Sequence, residues 1–200
     1  TCRRATPNAA IGSCRPTRCL SASSGAASSR STSCGAASNT DEDDVQFARV
    51  IRQWLDDNMC VDNDNIFATG FSNGGMIANR LGCQASDIFS AIAPVAGNIR
   101  FGGSFTECEP ATPVSFLTVC GAEDGVCNSS LDETFARWGR VNECVGIPST
   151  TFESATTHCE AWLPQKVAGG PGCPGNVFVE ACVVDDLEHE WSGRPRPDGT

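Results

Sequence analysis

Short apolar runs alternate with segments of helical periodicity along most of the chain, and few folds accommodate that pattern. Four runs have the length and composition of buried strands: residues 65–71, 91–96, 114–120 and 177–184. Three segments are predicted helices: residues 43–58, 73–82 and 131–142. Strands that are apolar throughout and separated by helices pair in parallel and are covered on both faces. The sequence therefore predicts an α/β fold with a mostly parallel sheet and helices on both faces.

The predicted domain begins at a run of acids. Residues 41–44 (DEDD) place negative charge at the start of the first helix, where the helix macrodipole favours it. Four side chains at helical spacing are expected to face inward: Val45, Ala48, Ile51 and Leu55. Residues 1–40 hold five Arg, four Cys and few large apolar side chains, so we expect little regular structure there. The predicted organisation is an irregular segment at 1–40, one domain at 41–193 and a loose tail at 194–200.

Residues 70–74 (GFSNG) match the G-x-S-x-G motif that surrounds a nucleophilic serine. An apolar strand is predicted just before Ser72 and a helix just after it, which is the context that the motif requires. Gly70 and Gly74 are expected to let strand and helix approach each other closely. The N–H of Asn73, at the helix N-terminus, is the predicted donor to an oxyanion. A glycine turn with an incidental serine is the alternative.

A carboxylate and a histidine follow this serine in the chain order of the triad that the motif belongs to. Asp124 lies in a polar turn after the third strand, at the edge where α/β sites assemble, and Glu123 is the second choice. His189 follows the last predicted strand. His158 lies in a Thr-rich stretch, and we expect it to be structural. The predicted triad is therefore Ser72, Asp124 and His189.

Several segments in this order resemble a family of extracellular esterases with the α/β-hydrolase fold, which includes polyhydroxybutyrate depolymerases, feruloyl esterases and acetylxylan esterases. They are DDVQFARVI (43–51), CVDNDNIFATGFSNGGMIANRLGC (60–83) and AIAPVAG (91–97). CGAEDGVC (120–127) is similar to the family's His-Gly-Thr-x-Asp segment, and LEHEWSG (187–193) to its Gly-His-x-Trp-Pro-Gly segment. The resemblance implies hydrolysis of an extracellular polyester or plant cell-wall ester through an acyl-enzyme, with the predicted triad and with no metal or organic cofactor. Trp191 is the predicted substrate-binding residue.

The chain departs from the family at several points. Cys120 stands where the family has His, and Ser192 where it has Pro. The family's first strands and its His-Gly oxyanion loop would precede residue 34, and residues 1–40 do not resemble them. We therefore expect the N-terminal strands to be missing, together with one of two oxyanion donors, a loss that costs about 10²–10³ in rate. A degraded hydrolase that only binds, a disulfide-rich structural module and a serine peptidase on the same fold remain alternatives.

Thirteen cysteines, spread along the chain, indicate disulfides and an oxidising compartment. With only two histidines, a Cys/His zinc site is poorly supported. The sequence therefore predicts a secreted protein whose cysteines after residue 41 are mostly oxidised. We expect the pairs Cys144–Cys159 and Cys173–Cys182, each of which closes a modest loop.

Charge and hydropathy exclude two classes of partner. Residues 41–200 hold all 24 acids of the chain but only nine of its 14 Lys and Arg, and such an acidic body repels phosphate backbones. We therefore expect no nucleic-acid partner. Uninterrupted apolar runs fall well short of about 18 residues, so we expect no membrane span. The expected partner is an ester substrate, which can be a polymer. The sequence predicts no particular oligomeric state.

Overall fold

A six-stranded sheet forms the centre of the computed structural model, which describes residues 43–99 and 108–193. The strands are β1 (Phe67–Phe71), β2 (Ala91–Val95), β3 (Ser115–Gly121), β4 (Ser149–Glu153), β5 (Thr157–Trp162) and β6 (Val179–Val184). They lie in the order β1-β2-β3-β6-β5-β4. The strands β1, β2, β3 and β6 pair in parallel, whereas β5 and β4 are added antiparallel. The predicted mostly parallel sheet is confirmed, and the predicted segment 1–40 and tail 194–200 lie outside the described residues.

In the described part of the chain, three α-helices accompany the sheet: α1 (Asp44–Asn58), α2 (Asn73–Gln84) and α3 (Leu131–Val141). All three were expected from the sequence, with ends that differ by one or two residues. Asp43 caps α1, because its side-chain oxygen accepts a hydrogen bond of 2.8 Å from the Gln46 N–H. None of the described helices is long and apolar enough to cross a bilayer.

The inward face of α1 differs from the predicted one. Val45 is buried and Ala48 and Leu55 are partly buried, but Ile51, the fourth residue of the predicted stripe, is 43% exposed. The helix is attached by a polar contact at the end of α2, where Arg49 reaches Asp87, just beyond that helix, at 2.7 Å and the Gln84 carbonyl at 2.8 Å. The large apolar side chains of Phe47, Val50, Ile51 and Trp54 are exposed.

The core joins α2, α3 and the sheet through one aromatic stack. The rings of Phe116 in β3 and Trp138 in α3 lie 5.3 Å apart, and both side chains are fully buried. The indole N–H of Trp138 donates to Asn79 of α2 at 2.8 Å, so its polar atom is satisfied inside the core. Because one side chain touches both helices, α2 and α3 cover the same face of the sheet.

All nine cysteines of the described residues are disulfide-bonded, which confirms the predicted oxidation. The four bridges between described residues are Cys83–Cys108, Cys120–Cys127, Cys144–Cys173 and Cys159–Cys182. The predicted pairs Cys144–Cys159 and Cys173–Cys182 are wrong. The strand β5, which the sequence pattern did not reveal, pairs antiparallel with β6 and sets Cys159 directly opposite Cys182. Cys144 is then left to pair with Cys173.

Candidate active site

Ser72 lies between β1 and α2 in an unusual backbone conformation. Its φ is 54° and its ψ is −116°, a region that costs a residue with a side chain about 1–3 kcal/mol. The Ser72 N–H donates to the Val95 carbonyl at 2.9 Å, which ties the turn to the end of β2. A strand that ends directly before the serine and a helix that begins directly after it match the predicted strand-to-helix turn.

Glycines bring the strand and the helix of this turn into backbone contact. A Cβ on Gly70 would lie 2.4 Å from the Gly74 carbonyl oxygen, so the position tolerates no side chain. A Cβ on Gly74 would meet nothing within 4 Å, and its predicted packing role is therefore wrong. The tight contact instead lies one residue on, because a Cβ on Gly97 would approach the backbone of Gly75 to 2.7 Å. Neither Gly75 nor Gly97 was expected from the sequence to make such a contact.

The structure brings the three predicted triad side chains together in one hydrogen-bonded chain. The Oγ of Ser72 lies 2.7 Å from Nε2 of His189. Nδ1 of the same imidazole lies 2.9 Å from Oδ2 of Asp124. The three residues follow the carboxyl ends of β1, β3 and β6, which meet at the same edge of the sheet. A hydroxyl, an imidazole and a carboxylate in this order can activate the hydroxyl as a nucleophile.

Asp124 is buried and held by the backbone of its own turn. The residue is 1% exposed, and its Oδ1 accepts N–H groups from Val126 at 2.8 Å and Cys127 at 3.1 Å. These two bonds leave Oδ2 for His189, so the carboxylate has a partner on each oxygen. Glu123, the second choice, has an exposed side chain, and the imidazole of His189 contacts Asp124.

The loop that carries His189 packs tightly against the end of β3. A Cβ on Gly121 would lie 2.0 Å from the Leu187 carbonyl oxygen, and the Glu123 N–H donates to that same oxygen at 3.1 Å. Only glycine allows this approach, and this role of Gly121 was not predicted from the sequence. Its position directly after a predicted strand and before the acid is the signal that could have identified it.

The ring of Phe71 packs against the imidazole of His189. The Phe71 ring lies 4.9 Å from the His189 ring and 6.2 Å from the ring of Trp191. Trp191 is 45% exposed, so part of its indole is open to a ligand. Phe71, which is also part of the matched motif, therefore packs against the imidazole that contacts its neighbour, Ser72.

His158 lies in β5 and contacts Glu153 of β4 through its Nδ1. The hydrogen bond to the Glu153 carboxylate raises the pKa of His158 above its ordinary value, and the charge of Glu160 adds to this effect. Both side chains of the pair are exposed, on the antiparallel part of the sheet. His158 therefore takes part in a surface ion pair, and it does not join the group of side chains around Ser72.

Within residues 43–99 and 108–193, two groups of side chains have the composition of metal ligands. They are Cys120, Asp124 and Cys127, and Cys159, Glu180 and Cys182. In each group the two sulfurs form a disulfide, so neither offers a thiolate to an ion. Asp124 also has both carboxylate oxygens hydrogen-bonded to protein groups. The donor sets of these two groups therefore do not suit a metal.

The sheet order and the strand-to-helix turn at Ser72 together define the α/β-hydrolase fold. Residues 35–125 match the prolyl oligopeptidase family, whose members share this fold. The chain is 32% identical over 170 residues to feruloyl esterase B of Piromyces equi, which covers 75% of the chain and 29% of the relative. It is 34% identical over 89 residues to feruloyl esterase C of Emericella nidulans, covering 44% of the chain and 31% of the relative.

A third relative extends the comparison. Feruloyl esterase D of Neurospora crassa is 31% identical over 108 residues, which cover 53% of the chain and 36% of the relative. These similarities confirm the resemblance to esterases of the feruloyl esterase type that the sequence motifs predicted. The chain spans about a third of the length of these relatives.

Proposed function

We propose that the chain carries the catalytic site of a serine carboxylic-ester hydrolase, with Ser72 as nucleophile, His189 as base and Asp124 as the acid of the triad. The observation that carries this proposal is the unbroken hydrogen-bonded chain from the Ser72 hydroxyl through the imidazole to a buried carboxylate. The sequence similarity to feruloyl esterases supports ester hydrolysis in particular.

In this mechanism His189 accepts the hydroxyl proton as Oγ of Ser72 attacks the ester carbonyl carbon. Asp124 orients the imidazole and stabilises its cation. The negative oxygen of the tetrahedral intermediate accepts the Asn73 N–H, one of the first N–H groups of α2 that have no partner within the helix. The ester C–O bond then breaks, and the alcohol leaves with the proton from His189. Water attacks the acyl-enzyme by the same steps and releases the acid.

The substrate is an ester of the plant cell wall, such as a feruloyl ester, or an extracellular polyester. The names of the relatives support the feruloyl class. Trp191 is the substrate contact, since its half-exposed indole lies next to the Phe71 ring beside the imidazole. The protein acts outside the cell, and the nine disulfide-bonded cysteines of the described residues support an oxidising compartment. The site works without a metal or an organic cofactor.

Peptide hydrolysis is the second candidate. Residues 35–125 match the prolyl oligopeptidase family, and the same serine geometry serves peptidases. Amide and ester substrates separate the two functions. An esterase hydrolyses methyl ferulate and p-nitrophenyl acetate faster than a prolyl p-nitroanilide, whereas a peptidase prefers the anilide.

The test is covalent labelling of the chain by a fluorophosphonate, combined with rates on these three substrates. We expect one label, on the peptide that contains Ser72, and hydrolysis of the esters. Ser72→Ala loses the label and about 10⁴–10⁶ of the rate, as removal of a triad serine does. Ser90→Ala is the matched control and keeps both, because its hydroxyl is bonded to the Ile66 carbonyl on the sheet. Equal labelling of the Ser72→Ala variant would overturn the proposal.

A further inference from the structure

One disulfide encloses the acid of the site. Cys120, near the end of β3, is bonded to Cys127 only seven residues later, and Asp124 lies inside the loop that this bond closes. Both cysteines are 1% exposed. The other three bridges between described residues close loops of 25, 29 and 23 residues. A short loop loses little conformational freedom when it is closed, so this bridge is expected to stabilise the fold less than the other three do.

The same bridge holds a group that binds the acid. Cys127 donates its N–H to Oδ1 of Asp124 at 3.1 Å, while its sulfur is fixed to Cys120. Cys120 in turn is fixed in the sheet, where it lies opposite Val183 of β6. A covalent path therefore runs from the sheet to the donor of Oδ1, and the other oxygen of the same carboxylate contacts His189.

The loop has few apolar contacts of its own to keep this arrangement. Glu123, Gly125 and Val126 are exposed, and Val126 is the one large apolar side chain between the two cysteines. Side-chain hydrogen bonds to the loop carbonyls come from Asn98 at 3.2 Å and Asn128 at 2.9 Å. A surface loop with so little buried apolar area opens easily unless a covalent bond restrains it.

We propose that the Cys120–Cys127 disulfide is a positioning element of the site, which holds Asp124 at hydrogen-bonding distance from His189. The inference rests on the proposed function for its kinetic consequences, but its structural content is independent of activity. A misplacement of about 1 Å in such a site costs on the order of 10²-fold in rate.

The kinetic test compares two disulfide deletions in the full chain. C120A/C127A is the test variant, and C83A/C108A is the matched control. Both bridges are buried, but Cys83 lies at the far end of α2 from Ser72, roughly 16 Å along the helix axis. We expect C120A/C127A to lose about 10- to 100-fold in kcat on p-nitrophenyl acetate, with KM changed less than about twofold. The control loses less than about threefold in kcat, although its melting temperature falls further.

A double-mutant cycle shows whether the bridge acts through the acid. In an Asp124→Ala background, C120A/C127A lowers kcat by less than about twofold, because the group that the bridge positions is already absent. A kcat within about threefold of wild type in C120A/C127A, or full additivity with Asp124→Ala, overturns the inference. If neither C120A/C127A nor the larger pair C120V/C127A folds, the bridge is a general structural cross-link, and the inference is also overturned.

A spectroscopic measurement separates this inference from the proposed function. The Nδ1 proton that His189 shares with Asp124 gives a downfield imidazole N–H signal in a proton NMR spectrum. With two histidines in the chain, His189→Ala and His158→Ala assign the signal. We expect it to vanish in C120A/C127A and to persist in C83A/C108A. A wild-type signal without ester hydrolysis would contradict the proposed function alone, and a signal that persists in C120A/C127A would contradict this inference alone.

Discussion

At the scale of the residue, the site depends on a serine in a costly backbone conformation. The positive φ of Ser72 persists because the chain on either side of it is packed backbone to backbone. Gly70 and Gly75 provide that packing, whereas Gly74 faces open space. Two glycines of the same motif therefore have different tolerances to a methyl group, and the difference can be measured.

Gly70→Ala should destabilise the protein and Gly74→Ala should not. The new methyl group at position 70 would lie 2.4 Å from a backbone oxygen, which forces strand and helix apart at a cost of about 1–3 kcal/mol or more. At position 74 it meets nothing, and alanine is the better helix former by about 0.8–1 kcal/mol. Urea unfolding of both variants gives the comparison, and equal losses of stability would show that the motif is packed differently.

The two histidines should differ in their effect on activity. His189→Ala removes the group bonded to both Ser72 and Asp124, so it should lower ester hydrolysis about as far as Ser72→Ala does. The double variant Ser72→Ala/His189→Ala should be little worse, because triad members act as a unit. His158→Ala should change the rate less than about threefold, since it breaks an exposed ion pair. An essential His158 with a dispensable His189 would contradict the assignment.

The sequence predicted the polar side chains of the candidate site better than the residues that pack around them. Ser72, Asp124 and His189 were predicted from a local motif and from the chain order of polar turns after strands, and the structure places their side chains within hydrogen-bonding distance. The roles of Gly97 and Gly121 were not predicted, because each glycine lies against a segment that is distant in the chain. The spacing of residues along the sequence does not indicate such contacts. For the same reason the ring of Phe71 was not expected to lie on the imidazole.

At the scale of the element, the parallel strands were predicted and the antiparallel edge was not. The strand β4 is exposed at every residue, and β5 buries only the small side chains of Cys159 and Ala161 on its inner face. Neither has the run of large apolar side chains that identifies β1, β2, β3 and β6. The wrong disulfide pairs follow from this omission, since Cys159 lies opposite Cys182 only once β5 exists.

The attachment of α1 to α2 should weaken in acid. The hydrogen bond from Arg49 lowers the pKa of Asp87, so the pair stabilises the fold above the unfolded-state pKa of about 3.9 and the contribution is lost as pH falls through the lower folded value. Both side chains are partly exposed, which limits the coupling to about 0.5–1 kcal/mol.

A double-mutant cycle of Arg49→Met and Asp87→Asn measures this coupling directly. Unfolding by urea at pH 7 and at pH 3 should give a coupling energy at the higher pH that shrinks at the lower one. A coupling that is the same at both values would mean that charge plays no part in holding α1.

At the scale of the whole molecule, covalent links secure the segments that follow β3. The bridges Cys144–Cys173 and Cys159–Cys182 tie the antiparallel edge and its loops to the rest of the chain. Loops of this length contribute about 3.5 kcal/mol each when they are closed, and a domain has only about 5–15 kcal/mol in total. The fold therefore depends on its oxidised state.

Reduction should lower the melting temperature steeply. Circular dichroism with and without a phosphine reductant measures the shift, and we expect the reduced chain to be largely unfolded at 37 °C, as small secreted domains are when they lose native disulfides. Peptide mapping without reduction should recover Cys144 linked to Cys173 and Cys159 linked to Cys182. Recovery of Cys144 linked to Cys159 would contradict the pairing of β5 with β6.

The distance along the chain between the members of the site has a consequence for synthesis. Ser72 and His189 are 117 residues apart, and Asp124 is 65 residues before His189. A ribosome adds about 5–20 residues per second, so roughly 6–23 s pass between the emergence of the serine and that of its proposed base. During that time the serine is an ordinary alcohol. The nascent chain therefore cannot form the proposed triad until β6, the last parallel strand, has joined the sheet.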